Sequence, residues 1–399
     1  MNRLSLYLLS IGAFVTGTSE LIVAGILPAI ADDLGVSVAL AGQLITVFSL
    51  SFAIGTPVIV ALTNRIQRKT ALLVSLALFS IGCLCSFMSP GYGFLLGSRI
   101  VIGLSAGVYT VIAFGSVAKL VPPEKTGSAI GMIALGISSA MVLGVPLGVA
   151  IAKWWSWQAI FAWLAGVSLL VMLGMLWLLP RIEGDAPASF GQQFRVLRNP
   201  VIASGLFLSL FMTTSCSLMN TYLTPFLLDI LHLPSASLGL MLFALGVSGV
   251  IGSRVGGSSV DRWGTKRIIS ICLSAIIVSL ALLQALHSSW LSGISLILIW
   301  MFALSMLVPA IQTYFIQQAP LSSNLVLGFN TSILHLGVAV GAGVGGLVVH
   351  TVSTVLYHPW LASCIAIVAL AIAALSFALS KKNNPAIHES VLPHTIERG

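Results

Sequence analysis

The amino-acid sequence predicts an all-helical membrane protein of about twelve transmembrane helices in two six-helix bundles. Of its 399 residues, 58% are hydrophobic and 7% are charged, and the mean hydropathy is +1.07. These values lie outside the range of soluble globular proteins. Apolar runs of roughly 20 residues also recur along the whole chain, and each can cross a hydrocarbon core of about 30 Å. The lipid bilayer is therefore the expected environment.

The apolar runs form two sets of six. Hydropathy places the first six helices near residues 6–29, 38–62, 70–88, 92–118, 127–151 and 158–180. The second six lie near residues 201–226, 235–258, 267–287, 291–316, 325–350 and 358–380. The first run is longer than the core of a signal peptide and lacks a small-residue cleavage site, so we interpret it as a retained helix.

A polar segment separates the two sets of helices. Residues 181–200 form the longest polar stretch inside the chain, and a polar tail covers residues 381–399. This division predicts an N-terminal bundle in residues 1–180 and a C-terminal bundle in residues 201–380, joined by a cytoplasmic linker. Each half has a basic turn after its second helix, a weak repeat that is typical of membrane proteins built from two duplicated halves.

The net charge of +8 comes from basic residues concentrated on one side of the bilayer. When the N-terminus is placed in the cytoplasm, nearly all lysines and arginines outside the helices fall on the cytoplasmic side, and Lys153 falls outside. The distribution therefore reflects membrane topology and does not indicate a nucleic-acid partner. It predicts that both termini are cytoplasmic.

A charged motif follows the eighth predicted helix. Residues 257–267 read GSSVDRWGTKR and resemble the loop signature of the major facilitator superfamily. The resemblance implies a gating role for the motif positions Gly257, Asp261, Arg262, Gly264 and Lys266. The alternative is that these charges serve only to set the topology.

The equivalent loop of the N-terminal half departs from the family pattern. Asn64 stands where the family has an aspartate, and Gln67 where it has a glycine. The basic positions of the motif are kept, and they are Arg65, Arg68 and Lys69. The resemblance therefore places the charge latch mainly on Asp261 and Arg262.

The fifth predicted helix contains a glycine-proline motif at Gly144, Pro146 and Gly148. It resembles the motif associated with antiporters in the same superfamily. Proline removes a backbone hydrogen bond and glycines permit close helix packing, so the motif predicts a bend that acts as a hinge or a seal. The alternative is an ordinary kinked membrane helix.

Two charged residues lie well inside predicted helices. Residues 99–107 read RIVIGLSAG and resemble the arginine motif of the family, and a membrane arginine, at a cost of at least about 2.5 kcal/mol, normally faces a cavity or a counter-charge. Glu20 and Arg99 lie at compatible depths of about 14 Å and about 9 Å. We expect Glu20 to carry the proton, with Arg99 changing its proton affinity between two access states. The alternatives are a fixed structural pair, or a Glu20 that only binds substrate.

Other polar residues occupy mid-helix positions from which they could line a cavity. His335 is the histidine of the eleventh predicted helix, and we interpret it as a packing residue with a hydrogen bond. The predicted cavity residues are Gln43, Tyr109, Ser138, Asn220, Tyr222, Gln312 and Asn330. Their neutral side chains favour an uncharged or modestly polar substrate.

The resemblance covers nearly the whole chain and is closest to the bacterial drug:proton antiporters that include arabinose-type and purine-type efflux permeases. Residues 20–28 and 328–332 support this branch. It implies the major facilitator fold, a bacterial inner membrane, and proton-motive force in place of a cofactor or metal. The implied partners are a small molecule, protons and lipids, with a monomeric chain and no nucleic acid.

The expected function is proton-coupled export of a drug, sugar, purine base or nucleoside by alternating access. An uptake symporter or uniporter on the same fold is the nearest alternative. A membrane enzyme is disfavoured because the sequence has no evident nucleophile, metal or phosphate-binding motif. A receptor or scaffold is disfavoured because the short loops leave little surface for a partner.

Overall fold

The computed structural model describes residues 3–63, 66–121, 126–183, 195–286, 289–319 and 322–383. Within these ranges, 12 helices are long and apolar enough to cross a membrane, and no strand is present. The predicted fold class is therefore confirmed. The linker predicted at residues 181–200 lies largely outside the described residues, as does nearly all of the predicted tail.

We number the membrane-spanning helices α1–α12. Those of the N-terminal half are α1 (Arg3–Gly25), α2 (38–62), α3 (Arg68–Phe87), α4 (Tyr92–Leu120), α5 (126–154) and α6 (Trp157–Leu178). Those of the C-terminal half are α7 (Pro200–Thr221), α8 (Leu238–Trp263), α9 (Thr265–Leu286), α10 (Trp290–Gln318), α11 (Ser323–Val352) and α12 (His358–Asn383).

The first helix ends earlier than the sequence predicts. α1 stops at Gly25, and a separate short helix, Leu27–Leu34, follows with Pro28 in its first turn. Proline has no backbone N–H and clashes with the preceding turn, so it begins a helix more readily than it continues one. Hydropathy did not detect this break because residues 21–31, on both sides of it, are apolar.

α2 and α5 each contain a π-helical turn. In α2 the turn is Ser51–Gly55, and in α5 it is Ala140–Gly144. A proline follows each turn by two residues, Pro57 in α2 and Pro146 in α5. The missing N–H and the proline ring both disturb the regular α-helical ladder, which accounts for the wider turn. π-turns of this kind are frequent at functional sites.

The two halves meet along two pairs of helices. Within the N-terminal half α1 packs on α5, and α3 packs on α4 and α6; within the C-terminal half α7 packs on α11 and α12, and α10 packs on α8 and α9. Across the boundary, α2 packs on α11 and α5 packs on α8. In the N-terminal half, α2 and α5 thus each contain a π-turn and pack against the other half.

Contact between the halves is concentrated toward one end of the molecule. Gly246 of α8 lies against the backbone of Met141 and Val142, and the Thr224 hydroxyl donates to the carbonyl of Gly25 over 3.4 Å. The segments Thr56–Leu62 and Thr126–Ser139, at the other end of α2 and α5, make no extensive contact with the C-terminal half. One end is therefore closed and the other is open.

We call the open end the basic end, because it carries Arg68, Lys69, Lys266 and Arg267. The opposite end is called the closed end.

Candidate functional site

Arg99 joins three helices of the N-terminal half. Its side chain is fully buried, and Nη1 donates to the carbonyl and hydroxyl oxygens of Ser19 over 3.1 and 3.4 Å. Nε lies 3.5 Å from the carbonyl of Leu44, and the guanidinium lies 4.5 Å from the centre of the Phe48 ring. Backbone carbonyls and a cation–π contact thus replace part of the water that a buried arginine loses, and Nη2 has no hydrogen-bond partner among the described residues.

Glu20 follows Ser19 directly on α1 and lies at the boundary between the halves. Its side chain is 28% exposed, although the closed end seals the neighbouring Leu21 and Gly25 against the C-terminal half. No ion pair joins Glu20 to Arg99, although the arginine acts on the carboxyl electrostatically. The guanidinium therefore binds the α1 backbone, and the carboxyl of Glu20 stays partly exposed.

The nearest charged or titratable partner of Glu20 comes from the other half. His335 of α11 places its Nδ1 atom 3.6 Å from Oε1 of Glu20. The imidazole stacks on Phe52, with ring centroids 3.5 Å apart and an interplanar angle of 18°. Phe52 belongs to the π-turn of α2. The site therefore brings together α1, α2 and α4 of one half with α11 of the other.

His335 is the functional candidate that sequence reasoning set aside. No local pattern shows which face of α11 looks toward α1, because hydropathy is high all around the helix. The available signal was that a histidine and a glutamate both occupy mid-membrane positions, where ionisable side chains usually have a function. Only the packing of the two halves shows that they face each other.

The glycine-proline motif packs α5 against α1 on both sides of Glu20. A Cβ atom at Gly144 would collide with Thr18, and one at Gly148 would collide with Ile22. Pro146 lies in the first turn after the π-turn Ala140–Gly144. The motif thus combines close packing with a bend directly beside the candidate proton site.

The basic residues after α2 contact other helices of the N-terminal half. Nζ of Lys69 donates to the carbonyls of Leu176 and Leu179 over 2.9 and 2.6 Å, which satisfies the end of α6. The Arg68 guanidinium lies against Gly115 of α4. Arg65 lies outside the described residues.

The motif predicted as a loop after α8 is mostly helical, so that placement was wrong. α8 continues to Trp263 and α9 begins at Thr265, which leaves Gly264 as the connection. Gly264 has a φ of 79°, a conformation that glycine adopts without the steric cost of a Cβ atom. Hydropathy predicted too early an end for the helix because its last turns, residues 257–262, contain polar and charged side chains, of which Ser258, Asp261 and Arg262 are exposed.

The charge latch predicted at Asp261 and Arg262 is not formed in this state. Both side chains are exposed, and neither makes an ion pair or hydrogen bond with any residue in the described ranges. Lys266 is half-buried at the start of α9. Because the basic end is open, a latch between the halves at this end has no partner to reach, and its formation on closure stays a prediction.

The predicted cavity residues occupy different environments. Tyr109 and Tyr222 are fully buried, and their hydroxyls donate to the carbonyls of Leu9 and Ala342 over 3.0 Å each. Gln43 and Asn220 are half-buried at the boundary between the halves, where Asn220 lines a cavity of about 40 Å³. The remaining predicted residues are exposed Ser138, exposed Gln312 and buried Asn330, whose Oδ1 has no hydrogen-bond partner in the described part of the chain.

A larger cavity of about 1060 Å³ lies at the closed end of the C-terminal half, away from Glu20. Met241 and Ile294 line it, together with Leu240 and Trp290, which are 72% and 63% exposed. Residues 229–234, which follow α7, line it together with the neighbouring ends of α8 and α10, and its described lining residues all belong to the C-terminal half. It is therefore not the candidate site.

The sequence model described as Major Facilitator Superfamily matches residues 9–323 and 205–394 of this chain. The chain belongs to the major facilitator superfamily. MFS-type transporter YbcL of Bacillus subtilis (strain 168) is 36% identical over 352 residues, which cover 88% of this chain and 90% of that protein. The probable sugar efflux transporter of Helicobacter acinonychis (strain Sheeba) is 28% identical, covering 86% and 88% respectively.

The fold of this major facilitator protein is also found among solved structures. The crystal structure of a D-xylose-proton symporter superposes with a TM-score of 0.78 over 94% of this chain and 97% of that chain, at 16% sequence identity. The protein is thus a multi-pass membrane transporter of small solutes, and its relatives are transporters, not enzymes. The names of these proteins include both an efflux transporter and a symporter, so family membership leaves the direction of transport open.

The placement of Tyr109 leads to a first prediction for this major facilitator protein. Tyr109→Phe is expected to lower the free energy of unfolding by about 1 kcal/mol, the usual contribution of one hydrogen bond. Transport should be unchanged, because the hydroxyl bonds to the Leu9 carbonyl inside the N-terminal half. Thermal unfolding and transport assays would check this, with Tyr7→Phe at a 51% exposed tyrosine as the control. A selective loss of transport would instead indicate substrate contact.

Proposed function

We propose that the protein is a proton-coupled antiporter that exports small organic molecules such as drugs, sugars, purine bases or nucleosides. The observation that carries this proposal is the position of Glu20. Its carboxyl group lies deep in the membrane, at the boundary between the halves, accessible from the open end and facing His335 of the other half. Carboxyl groups in such positions are typical of proton pathways.

The arrangement supports alternating access. In the state described here, the closed end blocks one side of Glu20 while the basic end is open. When the halves rock so that the other end opens, the same carboxyl exchanges protons with the opposite side of the membrane. A proton and a substrate would compete for the space around Glu20, so the inward proton gradient drives the substrate out.

The orientation proposed for the protein in the membrane follows from the charge distribution. Basic residues concentrate on the cytoplasmic side of membrane proteins, so the basic end is assigned to the cytoplasm, with both termini. The state described here is then open to the cytoplasm of a bacterial cell, across its inner membrane. Proton-motive force supplies the energy to a single chain, without a cofactor.

The substrate class is supported by the neutral character of the boundary. Gln43 and Asn220 offer amide groups there, and Leu21 and Met301 offer apolar surface. This combination suits a neutral, modestly polar solute, and the printed name of the Helicobacter relative favours a sugar. The alternative is a proton symporter or uniporter for uptake, which the xylose symporter supports at the level of the fold alone. The antiporter motif at Gly144, Pro146 and Gly148 favours export.

Inverted membrane vesicles provide the test. After the vesicle interior is acidified, pentoses, purines and cationic or neutral drugs are added one at a time, and the pH gradient is followed by dye fluorescence. Wild type is expected to show a loss of the gradient with one substrate class, and Glu20→Gln is expected to show none. Asp32→Asn, the same change at an exposed acid near the closed end, should behave as wild type. A Glu20→Gln variant that still moves protons with substrate would rule out the carrier role.

A further inference from the structure

His335 holds an unusual position at the boundary between the halves. Its side chain is 12% exposed, and its Nδ1 has no hydrogen-bond partner among the residues described. The stack on Phe52 fixes the plane of the ring, and the unpartnered nitrogen lies 3.6 Å from Oε1 of Glu20. An approach of about 0.6 Å would bring the two atoms into hydrogen-bond range.

A buried nitrogen aimed at a carboxylate is better explained by the carboxylate than by packing alone. A nitrogen without a partner costs free energy, which a purely apolar ring in the same stack would avoid. Arg99 of α4 is the other charged group that acts on Glu20, and Cys83 of α3 is the titratable group beside Arg99. Both lie in the N-terminal half. Among the described residues, His335 is therefore the titratable group of the C-terminal half that lies against Glu20.

We propose that His335 is a positioning residue that latches the empty, deprotonated transporter in the state described here. Its Nδ1–H donates to the ionised Glu20 carboxylate, and this bond across the boundary between α1 and α11 keeps the halves from rocking. A proton on Glu20 removes the acceptor charge, and a bound substrate displaces the contact, so only these two forms reorient. The inference rests on the proposed function, because it takes Glu20 as the proton carrier.

The latch matters because an antiporter must not reorient while it is empty. If the deprotonated, empty protein crossed back freely after releasing its proton, each cycle would carry one proton inward with no substrate outward. The result would be a proton leak. Loss of the latch is therefore measurable as a proton leak, even when the substrate is not known.

Two substitutions distinguish the role of the Nδ1 atom of His335 from the role of its ring stacking. His335→Phe keeps an aromatic ring to stack on Phe52 but has no atom that donates to Glu20. His335→Asn loses the stack but can place an amide nitrogen close to the position of Nδ1. A residue that only packs would tolerate phenylalanine better than asparagine, whereas the latch requires the opposite order.

The experiment measures proton flux into liposomes of phosphatidylethanolamine and phosphatidylglycerol that contain the purified full-length protein and no substrate. A potassium diffusion potential drives protons inward, and an entrapped pH dye reports them. His335→Phe is expected to leak at least about tenfold faster than wild type, as for the loss of one hydrogen bond to a charged group. His335→Asn should stay near wild type, and the double variant with Glu20→Gln should return to the rate of protein-free liposomes.

Three outcomes would overturn the latch: no leak in His335→Phe, an equal leak in His335→Asn, or a leak that persists when Glu20 is also replaced. His335→Leu is expected to leak protons as His335→Phe does. It replaces His335→Phe in the test if the phenylalanine variant cannot be reconstituted. Failure of the latch is distinguishable from failure of the proposed function. In the first case Glu20 still couples substrate to protons in inverted vesicles, and in the second it does not.

Discussion

Arg99→Met is expected to abolish transport and to lower the free energy of unfolding by about 3 kcal/mol, because hydrogen bonds from a charged group contribute more than neutral ones. Methionine approaches arginine in length and fills much of the same space. Methionine cannot donate hydrogen bonds to the Ser19 and Leu44 carbonyls, and it cannot form the cation–π contact with the Phe48 ring. It also removes the positive charge that acts on Glu20.

Thermal unfolding in detergent and the inverted-vesicle assay measure the two parts of this prediction. The matched control is Arg254→Met, because Arg254 is an exposed arginine of α8 without a hydrogen bond to the described residues. It should retain both stability and transport. A stable and active Arg99→Met protein would show that the buried guanidinium neither holds α1 and α2 to α4 nor affects Glu20.

Gly246→Val is expected to open the closed end. A Cβ atom at Gly246 would lie 2.7 Å from Cα of Val142 and 3.1 Å from the carbonyl oxygen of Met141, so α5 and α8 would have to separate. Overpacking against backbone costs about 1–3 kcal/mol, and about 1.4 kcal/mol corresponds to a tenfold change in population. We therefore expect the state described here to lose between about fivefold and about a hundredfold in population.

Alkylation of Thr224→Cys would report the change, in a protein whose five native cysteines have been replaced. Thr224 is 2% exposed and bonds to Gly25 at the closed end, so a membrane-impermeant maleimide should reach it only after opening. Gly239→Val on the same helix is the control, since nothing lies within 4 Å of a Cβ atom there. Equal alkylation rates in the two backgrounds would contradict the role assigned to the Gly246 contact.

The fold class and most helix positions could be predicted from sequence because each membrane helix must satisfy its own backbone in lipid. About 20 consecutive apolar residues therefore suffice to identify one, whatever its neighbours. Two helix boundaries were predicted wrongly, at positions where hydropathy does not indicate whether the helix continues. The break after Gly25 lies inside an apolar run, and the last turns of α8 are polar but helical.

The candidate site was predictable in part. Glu20 and Arg99 could be identified because charge is costly at membrane depth, and the glycine-proline motif because its residues permit close packing and a bend. In the state described here Arg99 binds the Ser19 carbonyl and forms no ion pair with Glu20, and its expected effect on the proton affinity of Glu20 stays a prediction. Tyr109 and Tyr222 were predicted to line the cavity because they are polar residues at mid-helix positions. Both hydroxyls donate to backbone carbonyls within their own halves of the protein.

The sequence by itself determined that this chain spans a membrane with twelve helices, because hydrophobicity and helix length are local properties of the chain. Tertiary structure alone decided that the closed end joins α5 to α8 at Gly246, and that His335 faces Glu20 across the boundary between the halves. These contacts join residues far apart in the chain, and they depend on how each helix is rotated about its axis. In lipid the apolar faces of a membrane helix are nearly equivalent, so hydropathy carries little information about that rotation.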